Sequence, residues 1–390
     1  MSRLTPSTAP SSADDLAEAL HEAGSNARTV AVIGNGSKHL MSGPVLPSDV
    51  VISTAGLRRV LQYEPNDLTI SVEAGMPFSE LQSILARRKQ MVALDPPFSL
   101  QATVGGVVAS NSNGPMRRGF GTARDLVIGM TFAMLDGKLV KTGGMVVKNV
   151  AGLDMGKLLV GSFGTLAILT SVNFRLHALP VETRTFLFTF RDLEAALEKR
   201  DSILASVLQP IAIDLASPAA AARLGYRGFL LAVRASGSPA VIQRYARDLS
   251  ATAELSGDRD IDLWQQIREF TPEFLARQPT GIVLRISTPL TGLAPLMRLV
   301  SGASISRAGS GVTYVYLSSW HGVSPLWKTA AEQGWSAVVE FAPDDLRSAN
   351  ELWHLPSSTG RAEAFAMMEK VKRMFDPHNL LNRGRLYGRI

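Results

Sequence analysis

Between Asp95 and Met130 the chain reads DPPFSLQATVGGVVASNSNGPMRRGFGTARDLVIGM, almost free of acid and rich in glycine and small polar residues where a core would need apolar bulk. Such a stretch restricts the chain to folds whose loops close round something. Gly105 and Gly106 permit close backbone approach, the run from Ala109 to Gly114 offers small hydrogen-bonding groups, and Gly119 and Gly121 bracket a further turn. A buried diphosphate needs this chemistry. A charge-assisted hydrogen bond contributes roughly 1.5 to 3 kcal/mol, so about four or five donors from two loops hold such a group without a large basic cluster. Arg117 and Arg118 add positive potential, with one of the pair expected in solvent. Read alone, the stretch signals an anion.

Composition narrows the alternatives. With 390 residues, 46% hydrophobic and 19% charged, the chain buries a full core of two or three domains. The formal charge is +6, but the basic residues are scattered in twos and threes instead of lining one helix or arm, which argues against nucleic acid and suits small anionic ligands. There is no cysteine, which excludes disulfides, thiolate zinc sites and iron–sulfur clusters held by this chain. No apolar run reaches the roughly 18 residues of a membrane span. A cytoplasmic location is expected, any membrane association being made through partners. The Ser-rich, acid-free start is read as a disordered tail over 1–13, a short transit peptide being the alternative.

Leu16, Ala19, Leu20 and Ala23 form a helical stripe with Gly24 as its stop. Strands follow at 29–33 and 50–54. The alternation of LTISVE at 68–73 predicts a half-buried strand, and Pro77 opens a helix carrying Phe78, Leu81, Ile84 and Leu85. Asp136-Gly137 signals a two-residue type I′ hairpin, and 165–176 reads as one long strand. Pro180 marks a boundary. Beyond it, strands at 183–190, 210–216, 228–235, 281–288, 311–318 and 335–342 mix with helices at 191–208, 238–254, 289–301 and 324–333. This predicts an α+β domain whose largely antiparallel sheet is covered by helices on one face. A last helix at 360–375 precedes a loop-like tail. The expected division is 14–180, a cap over 181–345, and a C-terminal segment over 346–390.

Other motifs are weaker. GNGSK at 34–38 follows a strand and could form an anion-binding nest of backbone N–H groups, yet a plain tight turn would explain it, and it matches neither a P-loop nor a dinucleotide fingerprint. Catalytic signatures are poor. There is no Gly-x-Ser-x-Gly elbow, and the six histidines are dispersed. His321 beside Trp320 and His354 beside Trp353 are the best placed of them, Asp344-Asp345 reads as a solvated turn, and no metal site is expected. The catalytic residues stay unassigned.

Taken in order, VIGNGSK, LTISVEAGMPFSELQ, the 95–130 stretch, VKNVAGLDMGKLLVGSFGTLAIL and MFDPHNLLNRGRL resemble the FAD-binding flavoproteins of the vanillyl-alcohol oxidase and p-cresol methylhydroxylase type. Within that family the pattern is most similar to the smaller FAD-binding subunits of bacterial glycolate oxidase complexes. The resemblance implies a two-subdomain PCMH-type FAD-binding domain plus an α+β cap, with the C-terminal tail returning to the FAD domain. It implies FAD contacts residue by residue: Gly34, Asn35, Gly36 and Ser37 at the diphosphate; Pro97, Thr103, Gly105, Gly106, Ser110 and Asn111 along diphosphate and flavin; Gly161, Thr165 and Ile168 toward the adenine; Asn382 at the flavin edge.

Ser37 stands where tethering relatives carry His, so the implied FAD is non-covalent. Departures include Phe163 and Ala167 in place of the Glu and Gly of GSEGTLG, Leu153 in place of Tyr, and Arg383 where Pro is usual. The implied function is FAD-dependent oxidation of a 2-hydroxy acid such as glycolate, or relay of its electrons, beside a larger FAD-linked dehydrogenase subunit and an iron–sulfur subunit. Two alternatives stand: a self-sufficient FAD-linked oxidase or dehydrogenase of another small alcohol or acid, and an FAD-binding assembly subunit without its own turnover.

Overall fold

The computed structural model describes residues 5–145, 154–353 and 361–390. The first helix, Ala13–Ser25, begins at Ser12, whose side chain accepts from the Asp15 N–H at 3.1 Å, an N-cap that satisfies one orphan donor. Leu16, Leu20 and Ala23 pack against Val30 and Ile52 of the following parallel strand pair, Val30–Ile33 and Val50–Ser53, and against Leu57 just beyond it. Gly24 does not stop the helix. It lies inside it because a Cβ there would meet the Leu135 carbonyl at 2.6 Å, and Ala27 takes the left-handed position instead.

An antiparallel sheet of five strands follows, in the order Val60–Glu64, Thr69–Glu73, Ile168–Arg175, Val127–Ala133 and Leu139–Gly143. One face packs on helices Phe78–Ala86 and Val104–Ala109 through Phe78, Leu81, Val104 and Val108. Three expectations change here. Strand Thr69–Glu73 is buried on both faces, because the Glu73 carboxylate accepts from the Arg59 N–H at 2.7 Å and its guanidinium at 2.8 Å. The strand expected from 165 starts at Ile168, since Thr165 turns back to give both N–H and hydroxyl to the Ser162 carbonyl. The hairpin is not type I′. Met134 N–H donates to Lys138, Gly137 N–H donates to Met134, and only Gly137 has positive φ (+84°), the pattern of a type I turn closed by a left-handed residue.

The second sheet has eight strands, all antiparallel: Ala253–Ser256, Glu182–Phe190, Phe229–Gly237, Ala212–Ala216, Ala303–Arg307, Val312–Leu317, Ile282–Ser287 and Ser336–Phe341. Alternation divides its faces. Phe186, Ile213, Leu231 and Val233 meet helices Leu193–Ala205 and Pro239–Leu249, whereas Leu187, Ala212, Leu230 and Ala232 meet Asp258–Arg268 and Phe270–Arg277. Helices therefore cover both faces at this end, which corrects the one-face expectation. Fully buried Asp260 anchors the second layer by accepting from Thr183 at 2.8 Å and pairing with Arg234 at 2.6 Å. The helix expected to 254 stops at Leu249, where Ser250 turns left-handed (φ 49°) and frees 253–256 to pair as an edge strand. At the opposite end, the strands from 282 to 341 leave one face open toward the first sheet.

The C-terminal helix Arg361–Phe375 leads back to the start of the chain. Val30 N–H donates to Leu380 and Asn382 N–H to Val30, both at 2.8 Å. Buried Lys372 fixes the return: its ammonium donates to the Thr165 carbonyl at 2.8 Å, the Leu381 carbonyl at 2.9 Å and the Asp376 carboxylate at 2.5 Å. Among the described residues no helix is long and apolar enough to cross a membrane.

Candidate functional site

A cavity of about 710 Å³ lies between the two sheets, within the roughly 300 to 1,000 Å³ typical of small-molecule sites. Its floor is made of Ser110–Asn113 and of residues from Leu158 to Leu166; its roof is the open face of the second sheet; its side is the C-terminal helix and tail, through Met367, Met368, Val371 and Tyr387.

The floor is built from backbone. Thr103 caps the helix Val104–Ala109 by accepting from Gly106 N–H at 3.2 Å. A Cβ on Gly105 would lie 2.9 Å from the Ala74 Cβ, so this glycine serves helix–strand packing. The helix ends at Ser110, and Asn111 follows in the left-handed region (φ 47°). A second segment zips onto it, with Gly161 N–H donating to Val108 at 3.1 Å and Phe163 N–H to Ala109 at 2.8 Å. Gly161 and Gly164 turn this segment with φ of +83° and +69°. Pro97, Ser110, Asn111, Gly161 and Thr165, all expected at the site, line the cavity together.

The other expected residues lie outside the lining. The Gly34 loop abuts the floor, since a Cβ on Gly34 would sit 2.6 Å from the Thr103 hydroxyl. Gly36 has φ +67° with open space about its Cβ direction, and the N–H groups of Asn35, Gly36, Ser37 and Lys38 meet no protein acceptor among the described residues. The Lys38 ammonium is buried without a hydrogen-bond partner, and burial pulls its pKa down to about 8. Ile168 points into the core with Leu16 and Val30. Asn382 acts as a staple: its side-chain oxygen accepts from Val32 N–H at 2.8 Å and its amide donates to Phe163 at 2.9 Å.

The roof is charged. Arg285 and Ser287, Arg307, Val312 and Tyr314, and Ser336, Val338 and Glu340 share the open face by strand alternation, with Arg268 and Arg117 at the rim. Arg285 Nε lies 3.3 Å from Glu340 and its guanidinium donates to the Tyr387 hydroxyl at 3.2 Å. Arg307 pairs with buried Asp214, and Arg268 with Glu269 at 3.2 Å. Burial pushes the Tyr314 hydroxyl up to about 12, so it stays a proton donor, and burial also raises Glu340 against the pull of Arg285 and Arg117. Asp95, behind the rim, is pushed up to about 6 by burial.

Arg268, Arg285, Arg307, Tyr314, Glu340 and Tyr387 escaped the sequence reading. The available signal was a charge inside an apolar strand, as in GIVLRIST, which alternation would aim at a covered face. His321 sits exposed on the single turn Trp320–Gly322 and outside the lining. His354 and Leu153 lie outside the described residues, although Trp353 lines the cavity. Arg118 is not simply solvated: it donates to the Gly309 carbonyl at 3.1 Å. Asp344 opens the helix Asp344–Ala349 and pairs with buried Arg347.

Comparison with known proteins now gives this arrangement a class. Residues 8–143 match the FAD binding domain family, and residues 357–386 match the C-terminal domain of FAD linked oxidases. The fold is shared with p-cresol methylhydroxylase crystallised with substrate bound, at a TM-score of 0.76 and 14% identity over 98% of this chain and 88% of that one. With an FAD binding domain on this fold, the chain resembles the PCMH-type FAD-binding flavoproteins and is an FAD-dependent oxidoreductase. Among them it is related to glycolate oxidase subunit GlcE of Escherichia coli, 29% identical over 96% of this chain and 97% of that protein. Glycolate oxidase subunit GlcD of Bacillus subtilis is 22% identical over 92% of this chain and 84% of its own length.

The residues present fit that cofactor. Free backbone N–H groups at Asn35–Lys38 and an unpartnered buried ammonium at Lys38 await an anionic group, and the glycine-turned floor leaves room for a flat ring system above it.

Proposed function

We propose that this chain is the FAD-binding subunit of a 2-hydroxy-acid dehydrogenase complex of the glycolate type. The observation that carries the reading is the juxtaposition, across one cavity, of a backbone floor suited to FAD with an arginine-bearing roof suited to a small carboxylate. Gly34, Asn35, Gly36 and Ser37 would hold the diphosphate through N–H groups. Pro97, Thr103, Gly105, Gly106, Ser110 and Asn111 would shape the floor, Gly161 and Thr165 the adenine side with Ile168 backing it from the core, and Asn382 the position of the loop at Phe163. Bound FAD supplies a hydride acceptor that passes electrons on singly or in pairs. The roof arginines orient the acid, Tyr314 donates a hydrogen bond from a hydroxyl that burial keeps protonated, and the apolar side wall excludes water.

Partners follow from chemistry and kinship. A chain without cysteine offers no thiolate ligand to a cluster, which supports an iron–sulfur subunit as electron acceptor, and the relation to GlcE and GlcD supports a larger FAD-linked dehydrogenase subunit beside it. Through these it would work in the cytoplasm, at a membrane if the partners bind one. Residues 14–180 would form the FAD domain, 181–345 the cap and 346–390 the returning segment.

Anaerobic addition of glycolate or lactate to the FAD-loaded chain, alone and with its companion subunits, tests the reading. Bleaching of the flavin only with companions present is the expected result. Bleaching of the isolated chain indicates a self-sufficient dehydrogenase, and a flavin that no hydroxy acid bleaches in either setting overturns the proposal in favour of an assembly role.

A further inference from the structure

We infer that Arg117 is the anchor for a ligand carboxylate, and that the cavity is built to take one negative charge and not two. The inference rests on the hydroxy-acid reading for its substrate and adds the residue and the charge class that select it.

The argument begins with pairing. Each of the other three cavity arginines has its own carboxylate: Arg268 has Glu269 at 3.2 Å, Arg285 has Glu340 at 3.3 Å, and Arg307 has Asp214. Arg117 has none. Its guanidinium makes no hydrogen bond or ion pair among the described residues, although it lines the cavity and is largely shielded from solvent. A desolvated cation without a partner is costly and is retained only where a partner arrives.

The second step is the position of Arg117, which is fixed from three sides. Asp95 accepts from Met116 N–H at 3.1 Å, Gly119 N–H donates to Ile211 at 3.1 Å, and the Arg118 guanidinium donates to Gly309 at 3.1 Å. The single turn Arg117–Phe120 is thereby clamped between the floor and the second sheet. Gly119 permits this approach, since a Cβ there would lie 2.9 Å from the Ile211 Cα. A backbone held in this way fixes where the Arg117 side chain starts and limits the ordering that its guanidinium must undergo on binding.

The third step is charge. The cavity is lined, among the described residues, by the cations Arg117, Arg268, Arg285 and Arg307, and the carboxylates paired with three of them are Glu269, Glu340 and Asp214. Counting only the four arginines that line the cavity and the three carboxylates paired with them, and leaving Lys38 to the cofactor's anionic group, one positive charge remains when all are ionised, and Arg117 carries it. A monocarboxylate neutralises it. A dicarboxylate would leave a second carboxylate in a shielded space where the remaining cations are already engaged.

Calorimetric titration of the FAD-loaded full-length chain with acetate, glycolate, malonate and ethylene glycol, near neutral pH, tests this. Acetate and glycolate should bind, malonate should bind at least about ten-fold more weakly than acetate, and Arg117→Met should weaken glycolate roughly 10- to 100-fold while leaving ethylene glycol unchanged. Arg117→Lys, which keeps the charge, should recover part of the loss. Glycolate affinity within about two-fold of native in Arg117→Met, malonate bound as tightly as acetate, or no carboxylate binding by the native chain would each overturn the inference. Malonate discrimination is read on the unmodified protein, so it stands even if a variant does not fold. Flavin bleaching by glycolate with an indifferent Arg117→Met sinks this inference and spares the hydroxy-acid reading; Arg117-dependent acetate binding with no hydroxy acid ever bleaching the flavin does the reverse.

Discussion

The floor and the roof of the cavity face each other but are built on opposite plans. The floor works through backbone: Gly34, Gly36, Gly161 and Gly164 let the chain turn and approach, and side chains such as Thr103 and Asn382 serve mainly to hold loops together. The roof works through side chains: Arg285, Arg307, Tyr314 and Glu340 project from neighbouring strands of one antiparallel sheet. The difference follows from what each must meet. A diphosphate is long and is matched by a row of N–H groups, whereas a small acid offers one carboxylate and needs a few aimed donors. Substitutions should therefore fail differently on the two sides, by losing stability in the roof and by losing cofactor in the floor.

The largest effect is expected at Arg307. Its partner Asp214 is 3% exposed, so Arg307→Met strands a buried carboxylate and should cost about 3 to 5 kcal/mol, read as a lower urea midpoint. The double change Arg307→Met with Asp214→Leu should restore much of this. If the single variant melts like the native protein, the roof is not held by its ion pairs.

Asp95 gives the next effect, through pH. Its folded pKa is pushed up to about 6 by burial, against an ordinary 3.8. Between these values the native state holds a proton that the unfolded state has lost, so the contribution of Asp95 is fully present below 3.8 and disappears as pH rises through about 6. It amounts to roughly 2 to 3 kcal/mol. Asp95→Asn keeps an oxygen acceptor for Met116 N–H and should flatten that part of the stability–pH curve. An unchanged slope between native and variant would remove Asp95 from the buried charge balance.

On the floor, Gly36→Val should leave a folded protein with little flavin. Its φ of +67° strains a β-branched residue by roughly 1 to 3 kcal/mol, and the turn that exposes the N–H groups of Asn35–Lys38 would relax. Gly106→Trp should act similarly, because only the Thr103 hydroxyl lies near its Cβ position, at 3.0 Å, and the added ring must project from the helix that supports the floor. The ratio of flavin to protein absorbance measures both. Full flavin content in both variants would break the division between a backbone floor and a side-chain roof.

The same division explains what was legible in the sequence. The glycine-rich stretch marks Ser110 and Asn111 locally, the family resemblance adds Gly161 and Thr165, and all four line the cavity. Most strands and helices beyond 180 followed from alternation and helical stripes; the short strands Ala253–Ser256 and Ala303–Arg307, the short helices Pro218–Arg223 and Asp344–Ala349, and the helices within Asp258–Arg277, where the carboxylate of Asp260 is buried and the amphipathic pattern is broken by charge, did not. The roof was not legible because its residues come from separate strands joined only by the order of the sheet. Arg285 and Glu340 lie far apart in sequence and meet through strand pairing. Nothing in the residues flanking Arg117 indicates that its neighbour Arg118 would reach Gly309.

The smallest test lies far from the cavity, at Gly137. A two-residue type I′ turn would place both central residues at positive φ, whereas here only Gly137 is left-handed and the Met134–Lys138 pair closes the loop. Its hydrogen is also needed for contact, since a Cβ would lie 2.7 Å from the His21 Cβ of the first helix. Gly137→Ala should thus cost about 1 to 2 kcal/mol while flavin content and carboxylate binding stay native. Asp136→Ala should cost less, because its main-chain conformation suits any residue and its side chain only accepts from Lys138 N–H at 3.1 Å and pairs with the exposed Lys138 ammonium. Thermal melts of the two variants give the order directly. If Asp136→Ala proves the more damaging, the hairpin depends on its side-chain contacts and not on the one left-handed residue, and the floor's reliance on glycine backbone would not extend to the sheet that carries it.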